Sequence, residues 1–261
     1  MESNIDLHVH TYYSDGTLSP TEIIKWAKKS KLDQVAVTDH DGIEGVQEAL
    51  IAGEALEIVV IPGIEFSVDE SNGIGMHILG YHIDIHNKKL NNKLEYIKQK
   101  RKERNDKLIT VLSDLGYPLV YEDMKKRGNG EYIGKPDFAR GLINKGYITK
   151  FPEAFVMGQF LKSEKVRKIK KEKISAKEAI ELIYGAGGIA VLAHPMKVTG
   201  LSGEYFKALE NLIIKLKDYG LKGMECFYPE HSEEETMKLV NLAEKYKLHV
   251  TKGSDYHGPK E

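Results

Sequence analysis

The sequence predicts an α/β fold: about seven strand units, closed or nearly closed into a barrel, interrupted by a helical insertion. Three observations predict it. Residues 1–67 read strand–helix–strand–helix–strand, the rhythm of a parallel sheet. The rhythm resumes near residue 175 and runs to the last strand. Imidazoles and carboxylates recur at the carboxyl ends of these strands, where active groups of such folds gather.

The first strand is Ile5-Asp6-Leu7-His8-Val9-His10. Apolar and polar residues alternate, so His8 and His10 project from one side. Asp15 follows in a turn closed by Gly16. Two imidazoles and a carboxylate are donors that first-row divalent ions take. The same stretch also reads as a strand with two solvent-facing histidines, and its context decides between them. Ser19-Pro20-Thr21-Glu22 sets serine at N-cap, proline at N1 and glutamate at N3, a strong helix start. Ile23, Ile24, Trp26 and Ala27 supply its apolar face. Residues 34–42 read as a buried strand ending near His40, residues 44–57 as a helix, and residues 58–67 as a strand with Glu65 at its carboxyl end.

Residues 73–86 read as one or two further strands. Within them His77 stands between Met76 and Ile78, locally the setting of a hydrogen-bonded core histidine, while His82 and His86 read as loop or edge residues. Residues 88–115 form a long, charged helical pattern with Leu90, Leu94, Ile97, Leu108, Val111, Leu112 and Leu115 inward and Gly116 as the stop. Shorter helical segments follow. Basic residues are dense at Lys98, Lys100, Arg101, Lys102, Arg104 and Lys107, at Lys125, Lys126 and Arg127, and from Lys162 to Lys173; most read as solvated helix surface. Residues 88–174 are therefore expected to form an inserted helical subdomain, with a lid as its natural role. Residues 1–87 and 175–261 form the discontinuous barrel.

Ser175-Ala176-Lys177-Glu178 is a second capping box. The strand at 189–193 ends in His194-Pro195, a helix spans 203–219, and 223–228 is another strand. Ser232-Glu233-Glu234-Glu235 starts the next helix. The strand at 248–251 runs into Gly253-Ser254-Asp255-Tyr256-His257-Gly258. His249 reads as structural, and Cys226, with no evident base, as core.

Composition narrows the function classes. The chain has 261 residues, 41% hydrophobic, enough for a well-buried core. With 38 basic and 39 acidic residues, nothing argues for a general nucleic-acid binder, although a local patch remains open. One cysteine excludes an intrachain disulfide framework and a cysteine-based zinc site. No apolar run reaches the length of a signal segment or membrane span, so a soluble cytoplasmic protein without membrane association is expected. No obligate protein partner is evident.

His8, His10, Asp15, His40, Glu65, His194, Asp255 and His257 all terminate strands, with His77 nearby. Clustered imidazoles and carboxylates cost desolvation energy unless something pairs them, and several divalent cations would do so. DLHVHTYYSDG at 6–16, VAVTDHD at 35–41, GIEFS at 63–67, HILGY at 77–81, AHP at 193–195, ECFYPEHS at 225–232 and GSDYHG at 253–258 together resemble the PHP (polymerase and histidinol phosphatase) family, end to end and in the family's order. The resemblance implies a distorted (β/α)7 barrel with a trinuclear site that hydrolyses phosphate monoesters or, in some members, diesters.

Carried onto this sequence, the family's ligands place a first metal on His8, His10, Glu65 and Asp255. A second falls on Glu65, His77 and His194, and a third on Asp15, His40 and His257. Asp15, His40, Glu65, His194 and His257 are the catalytic candidates. Up to three divalent ions per chain, manganese, iron or zinc, are implied, with a metal-activated hydroxide attacking phosphorus; metal lowers the pKa of water from about 15.7 towards ~7. Within the family the sequence is similar to members acting on 3',5'-nucleoside bisphosphates and on short RNA from its 5' end. Their insertion carries a GRPH-A-R segment. Here it reads Gly134-Lys135-Pro136-Asp137-Phe138-Ala139-Arg140, and an aspartate beside an anionic substrate is unfavourable unless it pairs with Arg140 or a metal. Arg101, Arg104, Lys135, Arg140 and His231 are the candidate substrate contacts, His231 reading equally as a helix-start residue. The expectation is a phosphatase for a small nucleotide. The rival readings are a histidinol-phosphate phosphatase and a 5'-3' exonuclease on short RNA or DNA; a non-catalytic binding protein is disfavoured because every ligand position is filled.

Overall fold

A computed structural model describes residues 4–70, 73–124 and 132–259, so Lys125, Lys126 and Arg127 lie outside the described residues. By contact the chain forms two compact units, Met1–Leu94 with Lys173–Glu261, and Glu95–Glu172.

The first unit is built on a seven-stranded sheet whose spatial order follows the chain. The strands are β1 (Ile5–Val9), β2 (Gln34–Val37), β3 (Val59–Asp69), β4 (Gly75–Tyr81), β5 (Ile189–Leu192), β6 (Gly223–Phe227) and β7 (His249–Lys252). β1, β2 and β3 pair in parallel, as do β5, β6 and β7. β4 runs antiparallel to both its neighbours. Residues 73–86 thus contain one strand, and it reverses direction because the link from Asp69 to Gly75 is too short for a crossover helix and closes as a hairpin, Glu70 N–H donating to Ile74 O at 2.8 Å. Beyond β7 the chain returns to β1: His10 N–H donates to Tyr256 O at 2.9 Å and Tyr256 N–H to His8 O at 3.3 Å. The mixed sheet is thereby nearly closed into a barrel, flanked by helices.

Local chemistry starts those helices. α1 (Pro20–Lys29) carries a complete capping box: Ser19 Oγ accepts from Glu22 N–H, and the Glu22 carboxylate accepts from Ser19 N–H. α2 spans Val46–Leu56. Ile23, Ile24 and Ala27 pack with Val9, Val35, Val37 and Ala49 into a core between α1, α2 and the sheet. Each isoleucine or valine among them contributes about 1.5–3 kcal/mol by leaving water. α6 (Ala176–Gly185) is capped by Ser175, but its box is only half made, since the Glu178 carboxylate pairs with Lys93 at 2.6 Å. α7 (Tyr205–Asp218) and α8 (Glu233–Lys245) complete the layer, α8 with a full Ser232–Glu235 box.

α3 (Lys88–Asp114) starts in the first unit and continues into the second. The second unit adds α4 (Lys135–Asn144), α5 (Glu164–Arg167) and short 3-10 turns. It has a core of its own, with Leu108, Leu112, Phe138, Leu142 and Val166 fully buried.

Candidate metal centre

Glu65, fully buried near the end of β3, is the hub. Its Oε1 lies 2.9 Å from His77 Nδ1, 3.0 Å from His194 Nε2 and 3.4 Å from His8 Nε2. Its Oε2 lies 2.8 Å from His40 Nδ1 and 3.4 Å from His10 Nε2. Burial alone would raise its pKa, but the imidazoles of His40, His77 and His8 outweigh burial and hold the carboxyl well below the usual range. Asp255 Oδ1 lies 3.0 Å from His10 Nε2 and 3.4 Å from His8 Nε2. Asp15 Oδ1 lies 3.1 Å from His257 Nε2, and its Oδ2 3.7 Å from His40 Nε2. Asp15 is likewise held well below the ordinary value, burial being overcome chiefly by His40.

These contacts make three overlapping groups of convergent donors: His8, His10, Glu65 and Asp255; His10, Asp15, His40 and His257; and His40, Glu65 and His77. His194 Nε2 joins the third through Glu65 Oε1 and His77 Nδ1, 3.3 Å away. All nine residues singled out from the sequence thus converge, and His8 and His10 are buried rather than solvent-facing. The antiparallel course of β4 brings His77, read locally as core, against Glu65.

The donor set fits divalent ions. Two atoms each about 2.1 Å from one ion stand about 3.4 Å apart at a tetrahedral angle and about 3.0 Å apart at an octahedral one. The separations around His8, His10, Glu65 and Asp255 fall at 3.0 and 3.4 Å. Moreover, His8 Nε2, His10 Nε2 and Glu65 Oε2 are buried and make no hydrogen bond among the described residues. Such orphaned polar atoms are costly unless a cation takes them.

Supporting residues that the sequence reading did not single out hold this cluster. Asp39, fully buried, accepts from Thr11 N–H at 2.7 Å and from the hydroxyls of Thr11 and Ser14, fixing the loop that presents Asp15. Glu225 lies 3.0 Å from His8 Nδ1. Tyr228 donates to Asp255 Oδ2 at 2.9 Å. A cavity of about 380 Å³ opens over His40, His77, His194 and His257, with Lys173, Lys197 and Thr199 on its wall. A carboxylate in the apolar run Gly-Met-Glu-Cys-Phe was a usable signal for Glu225; the lysines carried none.

The expected substrate contacts stand differently. Arg101 stacks on Tyr132 at 4.1 Å, Arg104 donates to Asn105 Oδ1 at 2.6 Å, and Lys135 opens α4, all within the second unit. Asp137 caps α4 by accepting from Gly134 N–H at 2.8 Å and pairs with Arg140 at 3.0 Å. His231 sits with Nδ1 3.0 Å from Cys226 O and its ring 5.1 Å from that of Tyr228; it does not line the cavity. His249 begins β7 and is solvent-exposed, so it is not a core residue. Cys226 is buried, its thiol pushed up to about 12 chiefly by that burial, which leaves it inert.

Comparison with known families agrees with this geometry. The PHP domain matches residues 6–250. The chain belongs to the PHP domain family. Over 99% of its length it is 33% identical to a 5'-3' exoribonuclease of Haemophilus influenzae, 92% of which is covered. It is 32% identical to a 3',5'-nucleoside bisphosphate phosphatase of Chromobacterium violaceum, over 99% of this chain and 89% of that one. Among solved structures, a sulfate-bound, metal-free protein of C. violaceum described as an amidohydrolase superposes with a TM-score of 0.86 at 32% identity, covering 98% of this chain and 88% of the other. A Bifidobacterium adolescentis protein assigned as a metal-dependent phosphoesterase gives 0.84 at 28%, covering 99% and 89%. With these PHP neighbours, the seven-stranded sheet is a distorted (β/α)7 barrel.

Proposed function

We propose that this PHP-family chain is a metal-dependent phosphoesterase that hydrolyses a phosphate monoester of a small nucleotide of the 3',5'-nucleoside bisphosphate class, releasing phosphate. The observation that carries this is the single buried carboxylate of Glu65 meeting five imidazoles, flanked by Asp15 and Asp255. His8, His10, Glu65 and Asp255 would hold one ion, Glu65, His77 and His194 a second, and Asp15, His40 and His257 a third. Manganese, iron and zinc all suit these donors. Such ions, when bound, supply Lewis acidity and hydroxide at neutral pH.

The chain's own groups do the rest. Asp15 and Glu65 stay ionised and keep the cluster able to bind cations. Lys173 and Lys197, paired with Asp69 at 2.7 Å and Glu230 at 3.1 Å, stand on the cavity wall, where an anionic ester would compete for them. Tyr228, its phenol pKa raised by burial and by Asp255, remains protonated and so remains a donor. No side chain is required as nucleophile. Arg101, Arg104, Lys135 and Arg140, all in the helical unit, are the candidate phosphate contacts. Among the described residues no helix is long and apolar enough to cross a membrane; the proposed compartment is the cytoplasm.

A second reading is 5'-3' exonuclease action on short RNA, favoured by Lys98, Lys100, Arg101, Lys102, Arg104 and Lys107 along α3. Turnover of adenosine 3',5'-bisphosphate, a short 5'-phosphorylated RNA and histidinol phosphate separates the cases. Selective phosphate release from the bisphosphate is expected. Stepwise RNA shortening, with binding that weakens steeply in salt, would replace the first reading with the second. Turnover of histidinol phosphate alone would contradict both.

A further inference from the structure

We infer that Glu225 is the positioning residue that fixes the ring orientation and tautomer of His8 and, with its other oxygen, the backbone of His194. The inference rests on the metal-centre reading above. Glu225 lies mid-β6 and is fully buried. Its carboxylate meets two partners: Oε1 stands 3.0 Å from His8 Nδ1, and Oε2, 3.3 Å from the same nitrogen, accepts from the backbone N–H of His194 at 2.7 Å. His194 has φ 24° and ψ 67°, a conformation that residues with side chains rarely adopt. An acceptor fixed opposite its N–H holds it there.

The reach from β6 to β1 passes over β7, and Gly253 makes it possible. A Cβ at Gly253 would stand 2.2 Å from Glu225 Oε1 and 2.3 Å from His8 Cβ. No other residue leaves room for the two side chains to meet.

The chemistry requires a carboxylate. An ionised glutamate accepts at both oxygens, so both groups facing it are donors. The His194 N–H can do nothing else. His8 therefore carries a proton on Nδ1, which leaves Nε2, 3.4 Å from both Glu65 Oε1 and Asp255 Oδ1, as the atom available to a metal. Glutamine has the same size but one carbonyl and one NH2. If its NH2 faces His194, donor opposes donor. If its NH2 faces His8, Nδ1 becomes the acceptor and the ring proton moves to Nε2, the atom the metal needs.

The test is calorimetric titration of metal-stripped wild type and Glu225→Gln with zinc ions, with circular dichroism to show that both are folded. ¹⁵N NMR of the histidine rings in the zinc-loaded wild type accompanies it. The expected result is a loss of about 10- to 100-fold in affinity at one or more sites in Glu225→Gln, with wild-type His8 bound through Nε2 and protonated at Nδ1. Wild-type affinity in Glu225→Gln would overturn the inference while leaving the metal centre standing. So would a wild-type His8 bound through Nδ1, a result that decides even if the variant does not fold. A wild type that takes up neither zinc nor, in parallel titrations, manganese or iron(II) would overturn the metal-centre reading and the inference with it.

Discussion

Tyr228 donates its hydroxyl to Asp255 Oδ2 at 2.9 Å, so the carboxylate that faces His8 and His10 with one oxygen is anchored through the other. Lys197 Nζ in turn donates to the Tyr228 hydroxyl, tying the cavity wall to the centre. Tyr228→Phe removes the anchor but keeps the ring. The expected cost is about 1 kcal/mol, roughly fivefold in metal affinity or in kcat/KM, with the fold unchanged. Steady-state kinetics beside a metal titration checks it.

Asp15 and His194 serve different parts of the cluster and lie far apart in the chain. Asp15→Ala and His194→Ala are each expected to lower phosphate release by more than about 100-fold, beyond the effect of losing an outer partner. Circular dichroism should show a folded protein in both. Wild-type turnover in either variant would place the chemistry elsewhere.

The pH dependence of stability follows from the two signs of shift. Asp15 and Glu65 are held below their ordinary values, so their contribution is complete above about pH 4 and is lost as pH falls through the folded pKa. His8 goes the other way. Burial lowers its pKa, but Glu225 and Glu65 outweigh burial and raise it well above 6.5. Its contribution is complete below about pH 6.5 and is lost as pH rises through the folded value. A divalent ion displaces that proton, so stabilisation by metal should grow with pH. Thermal unfolding with and without zinc from pH 6 to pH 9 checks this: the two curves should separate as pH rises. A constant gap would contradict it.

Asp137 resolves a conflict raised by the sequence, where an aspartate stands in a segment proposed to meet phosphate. It pairs with Arg140 and caps α4. Asp137→Asn keeps an acceptor for Gly134 N–H and removes the charge that neutralises Arg140. If Arg140 meets the substrate, KM for a bisphosphate should fall a few-fold while the melting temperature shifts little, since a cap is worth about 1 kcal/mol and is retained. A rise in KM would show that Asp137 itself helps binding.

Much of the barrel is legible locally. Alternation in residues 5–10, the Ser19–Glu22 box and the apolar runs at 34–37 and 189–192 each specify an element from a few neighbouring residues. What escaped depends on pairing between distant segments. His77 looks like core until β4 turns antiparallel and sets it against Glu65. Glu225 looks like one charge in a strand until Gly253 lets it reach His8. Ser175–Glu178 looks like a full capping box, but Lys93 competes for the glutamate. In each case short-range pattern names the element, and a partner far along the chain sets the role.

The cluster around Glu65 is proposed as a metal centre that drives phosphoester hydrolysis. The direct measurement is metal content by elemental analysis, with phosphate release from adenosine 3',5'-bisphosphate followed on the same sample before chelation, after it, and after adding back manganese, iron(II) or zinc. Up to three ions per chain, loss of turnover with the metal and recovery on reloading are expected. Full turnover in metal-stripped protein would contradict it.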